Sequence, residues 1–167
     1  MTEVTLRPLD PRDWSAVRAI YVEGIATGNA TFETEPPDWD AWDASRLPLG
    51  RLVAEQGGRI LGFAALSPTS TRSAYAGVAE VMVYVGDEAR GQGVGRLLMM
   101  GLVQAAEAAG IWTLQASVFP ENEASIRVHL SVGFREVGRR ERIARSHDGR
   151  WRDTVFLERR SAVVGTE

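Results

Sequence analysis

The stretch from Val81 to Leu98 reads V-M-V-Y-V-G-D-E-A-R-G-Q-G-V-G-R-L-L, and no other segment of the chain restricts its fold as strongly. Val81, Val83 and Val85 alternate with Met82 and Tyr84, a β-branched and aromatic run that predicts a buried strand ending at Gly86 and Asp87. A glycine-rich turn follows at once. Beyond Gly93 the apolar positions Val94, Leu97, Leu98, Leu102 and Ala105 recur at helical spacing, so the turn opens a helix whose first N–H groups have no partner inside it. Such free donors favour an anion. Gly91, Gly93 and Gly95 let a phosphate lie against the backbone, and Arg90, Arg96 and the helix dipole add positive potential. Taken alone, the turn also fits a helix start with no ligand.

Its spacing narrows the anion. A dinucleotide fingerprint needs G-x-G-x-x-G and a P-loop needs G-x-x-x-x-G-K-[ST], and the turn has neither. It has R-x-x-G-x-G across Arg90, Gly93 and Gly95, directly between a strand and a helix. This run resembles the acetyl-CoA pyrophosphate loop of the GNAT family of N-acetyltransferases. The resemblance implies that acetyl-CoA is a co-substrate, held by Val83, Tyr84 and Val85 on the strand and by Arg90, Gly91, Gln92, Gly93, Val94, Gly95 and Arg96 on the turn.

Composition excludes several other chemistries. A chain of 167 residues, 44% of them hydrophobic, can bury a core without covalent staples. It has no cysteine, so a disulfide framework, a thiolate metal site and a cysteine nucleophile are ruled out. Two histidines are too few for a convincing zinc site, and no metal is expected. A formal charge of −3 argues against nucleic acid as the main partner, and the arginine-rich run from Arg135 to Arg145 reads as a solvated strand face. The start, M-T-E-V, lacks an apolar signal core and no stretch approaches a membrane span, so no membrane partner and a cytoplasmic location are expected.

Along the chain, Val4, Leu6 and Leu9 suggest a first strand, and Asp10, Pro11 and Asp13 cap a helix carrying Trp14, Val17, Ile20 and Tyr21. A segment without clear period runs from Gly24 to Pro37 and contains A-T-F-E at Ala30 to Glu33. So long a loop is either functional or a plain connector with Phe32 as a core plug. Asp38 then caps a short helix with Trp39 and Trp42. Leu52–Glu55 and Ile60–Leu66 read as a hairpin through Gly57 and Gly58. Past the long helix, which Gly110 ends, come a strand at Thr113–Phe119 and a helix from Asn122 or Glu123 to Gly133. Two last strands fall near Arg135–Ile143 and Thr154–Glu158. The order β-α-α-β-β-β-α-β-α-β-β predicts one α/β (α+β) domain over residues 1–160, a mixed and mostly antiparallel sheet of about seven strands with helices on both faces. The tail 161–167 is expected to fray.

A second motif agrees with the resemblance: Asn122, Ser125 and His129, with Gly133 and Phe134 behind them, match the family's N-x-x-A/S...Y/H...G-F/Y element. It implies that Asn122 and Ser125 face the cofactor arm and that His129 lies near the sulfur. There its imidazolium could protonate the departing thiolate, unless His129 is only structural. R-S-A-Y-A-G-V-A-E at Arg72 to Glu80, the A-T-F-E loop with its prolines, and D-G-R-W-R-D at Asp148 to Asp153 resemble the phosphinothricin acetyltransferase subfamily. F-P-E-N at Phe119 to Asn122 and Y-A-G-V-A-E at Tyr75 to Glu80 resemble its arsinothricin-resistance branch. The pattern departs at Ser146, His147 and Asp148, where phosphinothricin enzymes tend to carry K-H-G or K-F-G.

The implied reaction moves an acetyl group to the α-amine of a small amino-acid-like molecule in a ternary complex. That amine must first lose a proton. Glu80 is a candidate base, more so if partial burial raises its pKa, and His147 is its rival. Arg72 has the planar fork that grips a carboxylate or phosphinate, Phe32 and Tyr75 could wall the side-chain pocket, and Glu33 could orient the amine. A kink or bulge near Met82 to Tyr84 would free strand N–H groups for an oxyanion. The resemblance also implies a homodimer. Acetylation of a peptide N-terminus, and a non-catalytic acyl-CoA-binding module, are the competing readings.

Overall fold

The computed structural model describes residues 2–167. Its strands are β1 (Thr5–Pro8), β2 (Leu52–Gln56), β3 (Arg59–Pro68), β4 (Val78–Val85), β5 (Thr113–Val118), β6 (Arg135–Arg145) and β7 (Trp151–Arg160). Its helices are α1 (Trp14–Ala26), α2 (Trp39–Ser45), α3 (Val94–Ala108) and α4 (Glu123–Ser131). They follow one another in the expected order. The 7-stranded sheet runs β1-β2-β3-β4-β5-β7-β6, and every neighbouring pair is antiparallel except β4 with β5.

Alternation along β4 divides the core in two. Val81, Val83 and Val85 pack on one face with Leu98, Met99 and Leu102 of α3 and with Ile126 and Val128 of α4. Met82 and Tyr84 pack on the other with Val17, Ile20 and Tyr21 of α1 and Trp42 of α2. The expected helix starts carry their caps: Asp38 accepts from Ala41 N at 2.8 Å, and Asp13 accepts from Asp10 N at 2.8 Å. Asp13 also binds Arg7 at 2.7 Å, which clips β1 to the entry of α1.

Two expectations need correcting. The aperiodic segment begins at Thr27, because α1 continues two residues past Gly24 to Ala26. Gly24 sits there because a Cβ would come within 2.5 Å of the Tyr84 ring. The tail does not fray directly after β7. Ser161 is buried, donates from N to the Trp112 carbonyl at 2.8 Å and from Oγ to Glu107 at 2.9 Å, while Arg160 holds the carbonyls of Val164 and Gly165.

Candidate active site

β4 and β5 pair only at Val78–Glu80 against Thr113–Gln115, and beyond that point the ladder between them stops. β4 itself stays in unbroken register with β3 from Ala79 to Val85, so the expected bulge near Met82 to Tyr84 does not form. Separation from β5 frees the strand instead. Gly86 N donates to Leu61 O at 2.8 Å, which by antiparallel alternation turns the N–H groups of Val83 and Val85 away from β3 and into the opening.

On the α3/α4 side the opening continues into a groove of about 680 Å³. Its floor is the glycine turn. Gly91 and Gly93 take φ of +75° and +82°, left-handed values that let the chain reverse between β4 and α3, and Gly93 is the N-cap of the helix. The first intrahelical bond is Leu97 N to Gly93 O at 3.1 Å, so the N–H groups of Val94, Gly95 and Arg96 are left for a ligand. A Cβ on Gly91 or Gly93 would meet nothing within 4 Å among the described residues, so the space next to both glycines is open. These residues fit a pyrophosphate. Every residue expected to hold acetyl-CoA lines this groove except Gln92, which points back to donate to the Glu88 carbonyl at 3.0 Å. Arg90 is ion-paired to Asp87 at 2.7 Å and remains exposed.

A smaller cavity of about 310 Å³ lies on the other side of the opening. Phe32, Glu33, Arg46, Ser67 and Glu80 are among its walls. Phe32 meets Phe119 edge-on at 4.8 Å and keeps 37% of its surface exposed, so it is a wall and not a core plug. Glu80 is exposed to solvent, so the partial burial that would strengthen it as a base is absent. Arg72, Tyr75 and His147 are not brought to this cavity. Arg72 lies over the Tyr75 ring at 5.7 Å on the exposed turn before β4, and His147 sits in the turn closed by Ser146 N to Arg150 O at 2.8 Å.

Groove and cavity share Ala30, Val83, Tyr84, Asn122, Ser125 and His129, and Asn122 and Arg152 tie the partition between them. Asn122 caps α4 by accepting from Ser125 N at 3.2 Å and donates through Nδ2 to Asn29 O at 3.1 Å. Arg152, buried on β7, donates to Gly28 O at 2.9 Å and to Asn29 Oδ1 at 3.0 Å while its guanidinium stacks 3.8 Å from the Phe119 centroid. These bonds fix the loop that carries Phe32 and Glu33.

His129 is buried with Nδ1 2.6 Å from the Ser125 carbonyl, which assigns the ring proton to Nδ1 and leaves Nε2 as an acceptor. Burial lowers its pKa below the usual histidine range, against the smaller opposing pull of the Ser125 carbonyl. The ring is therefore neutral near pH 7, which does not favour the imidazolium acid of the sequence reading. Tyr84 stacks on Tyr21 at 4.9 Å and on Phe63 at 5.4 Å, and desolvation pushes its phenol far above the ordinary value. Sequence reasoning missed Arg46, Ser67 and Arg152. Nothing in the A-S-R run singles out Arg46, the D-G-R-W-R-D resemblance gives Arg152 no role, and only tertiary contacts tie Arg46 to the cavity wall and Arg152 to the loop beside it.

Residues 12–134 match the model of the acetyltransferase (GNAT) family. The phosphinothricin N-acetyltransferase of Alcaligenes faecalis is 38% identical over 161 residues, covering 93% of this chain and 81% of that protein. The phosphinothricin N-acetyltransferase of Streptomyces coelicolor is 33% identical, with 94% of this chain and 96% of that protein covered. A GNAT superfamily phosphinothricin acetyltransferase from Sinorhizobium meliloti, solved in complex with acetyl-CoA, superposes with a TM-score of 0.86 at 29% identity, over 100% of this chain and 92% of that one. A splayed parallel strand pair, a glycine turn at a helix N-terminus and these likenesses agree, and the chain belongs to the acetyltransferase (GNAT) family.

Proposed function

We propose that this protein is an acetyl-CoA-dependent N-acetyltransferase acting on the α-amine of a small amino-acid-like molecule of the phosphinothricin or methionine sulfoximine type. The observation that carries the reading is the meeting of an anion-binding groove with a small carboxylate-walled cavity at Val83, Tyr84 and His129. Acetyl-CoA, when bound, supplies the activated acetyl thioester. The N–H groups of Val94, Gly95 and Arg96 and the cations of Arg90 and Arg96 hold its pyrophosphate. The N–H of Val83, turned into the opening, stabilises the carbonyl oxygen as charge develops on it.

An α-amine has an ordinary pKa near 8, so most of the acceptor arrives protonated at neutral pH. Glu80 takes that proton, directly or through a water. The nitrogen then forms its bond to the acetyl carbon as the carbon–sulfur bond breaks, and the second proton the nitrogen sheds ends on the departing thiolate, giving the amide and the free thiol. Neutral His129, with Nε2 free, acts at the junction as a hydrogen-bond acceptor and not as an acid. The tied loop from Gly28 to Glu33 closes the cavity and favours a small acceptor over a peptide N-terminus. Two copies pair through the β6–β7 hairpin, a reading supported by exposed Val137, Ile143 and Trp151 along it.

The test is thiol release from acetyl-CoA with phosphinothricin, arsinothricin, methionine sulfoximine, methionine sulfone, free amino acids and a peptide N-terminus. Turnover confined to the amino-acid analogues is the expected result. Turnover of the peptide alone would overturn it, and silence on every amine with acetyl-CoA still bound would favour the binding module.

A further inference from the structure

The small cavity holds three charged side chains, Glu33, Glu80 and Arg46, and none of them is in an ion pair among the described residues. Among the described residues Arg46 is the only arginine on its walls. It leaves the C-terminus of α2 half-buried, with its guanidinium 5.9 Å from the Trp42 ring centroid. Nη1 donates to Ser67 Oγ at 2.8 Å, while Nε is buried with no hydrogen-bond partner. A buried guanidinium donor left unmatched is costly, and a half-buried cation without a counter-ion calls for an anion in the cavity.

Position says which part of the acceptor supplies it. Ser67 is the register partner of Glu80 across β3 and β4, so the Arg46 bond to Ser67 ties its guanidinium to the same cross-strand pair on the cavity wall as the carboxylate assigned as base. A ligand that gives its amine to Glu80 and an anion to Arg46 must carry both groups close together. An α-amino acid, with ammonium and carboxylate on one carbon, meets that demand, and a lining that holds both carboxylates and a guanidinium matches its opposite charges. We propose that Arg46 anchors the α-carboxylate of the acceptor and is a specificity-determining residue of this enzyme. The assignment rests on the acetyltransfer reading above. It also explains how the cavity recognises a carboxylate although Arg72 lies outside it.

The test compares methionine sulfone with its carboxamide, in which the α-carboxylate is replaced by a neutral group, by thiol release from acetyl-CoA. The wild-type protein is expected to prefer the acid, and Arg46→Met to lower kcat/KM for the acid on the order of 10- to 100-fold, mostly through KM. The loss for the amide is much smaller, so the acid-to-amide ratio collapses, and Arg46→Lys gives an intermediate ratio. Should Arg46→Met fail to fold, Ser67→Ala loosens the same guanidinium and is expected to raise KM for the acid several-fold more than for the amide. A ratio unchanged in every variant, with the wild-type protein active, would overturn the anchor and leave the acetyltransfer reading standing. No turnover of either compound by the wild-type protein, with none on the wider panel, would overturn both.

Discussion

The groove and the cavity meet at the same residues, yet the chain builds them in opposite ways. The phosphate end of the groove is made from the continuous run Val83 to Arg96, with α4 as its second bank, and there it offers backbone N–H groups. The cavity gathers Tyr21, Phe32, Arg46, Ser67, Glu80, Phe119 and Thr154, and it offers side chains. Backbone recognition of a phosphate needs only a turn of fixed shape, so a short motif can encode it. Side-chain recognition needs charges placed across many segments, and only folding assembles those.

Mutations on either side should separate the two. Glu80→Gln is expected to lower kcat about 100-fold or more while acetyl-CoA binding, measured by calorimetry, is unchanged. Loss of both together would make Glu80 part of the groove. In mirror image, Gly93→Ala forces an L-residue into a left-handed position that costs about 1–2 kcal/mol, so the KM for acetyl-CoA is expected to rise about tenfold with the acceptor KM little changed. Arg152→Ala should break the separation. It frees the shared loop, so both KM values rise together and stability falls by about 1–3 kcal/mol, seen in urea denaturation, with Arg152→Lys recovering only part.

The smallest effect is expected from pH. His129 has a folded pKa below its unfolded value, so the unfolded chain takes up the proton first as pH falls. Its stability contribution is complete above the ordinary histidine range and declines as pH drops from about 6.5 toward the folded value. His129→Gln should remove that decline and leave a second one at lower pH. The second belongs to Asp13 and Glu107, whose pKa values are lowered first of all by hydrogen bonds from Arg7 and Arg159. Their contribution is lost only as pH falls below the usual carboxylate range through those lowered values. Urea midpoints of the two proteins from pH 8 to pH 3 check both parts.

The amino-acid sequence by itself determined the order of strands and helices, the glycine turn and the caps, because each depends on neighbours a few residues apart. Alternating Val81, Val83 and Val85 already divided the core, and left-handed Gly91 and Gly93 already marked the helix entry. The limits of elements were less legible: α1 ran past Gly24 because the Tyr84 ring covers that turn, and Ser161 was held by Trp112 and Glu107, far away in sequence. Tertiary structure alone decided which arginines reach the site. Arg72 has the right chemistry but lies on an exposed turn, whereas Arg46 is drawn to the cavity wall by Ser67 and Arg152 is held against the neighbouring loop by Gly28 and Asn29. A guanidinium reads the same in any sequence. Its burial and its partners come from strands and loops brought together across the sheet, and those set what it can bind.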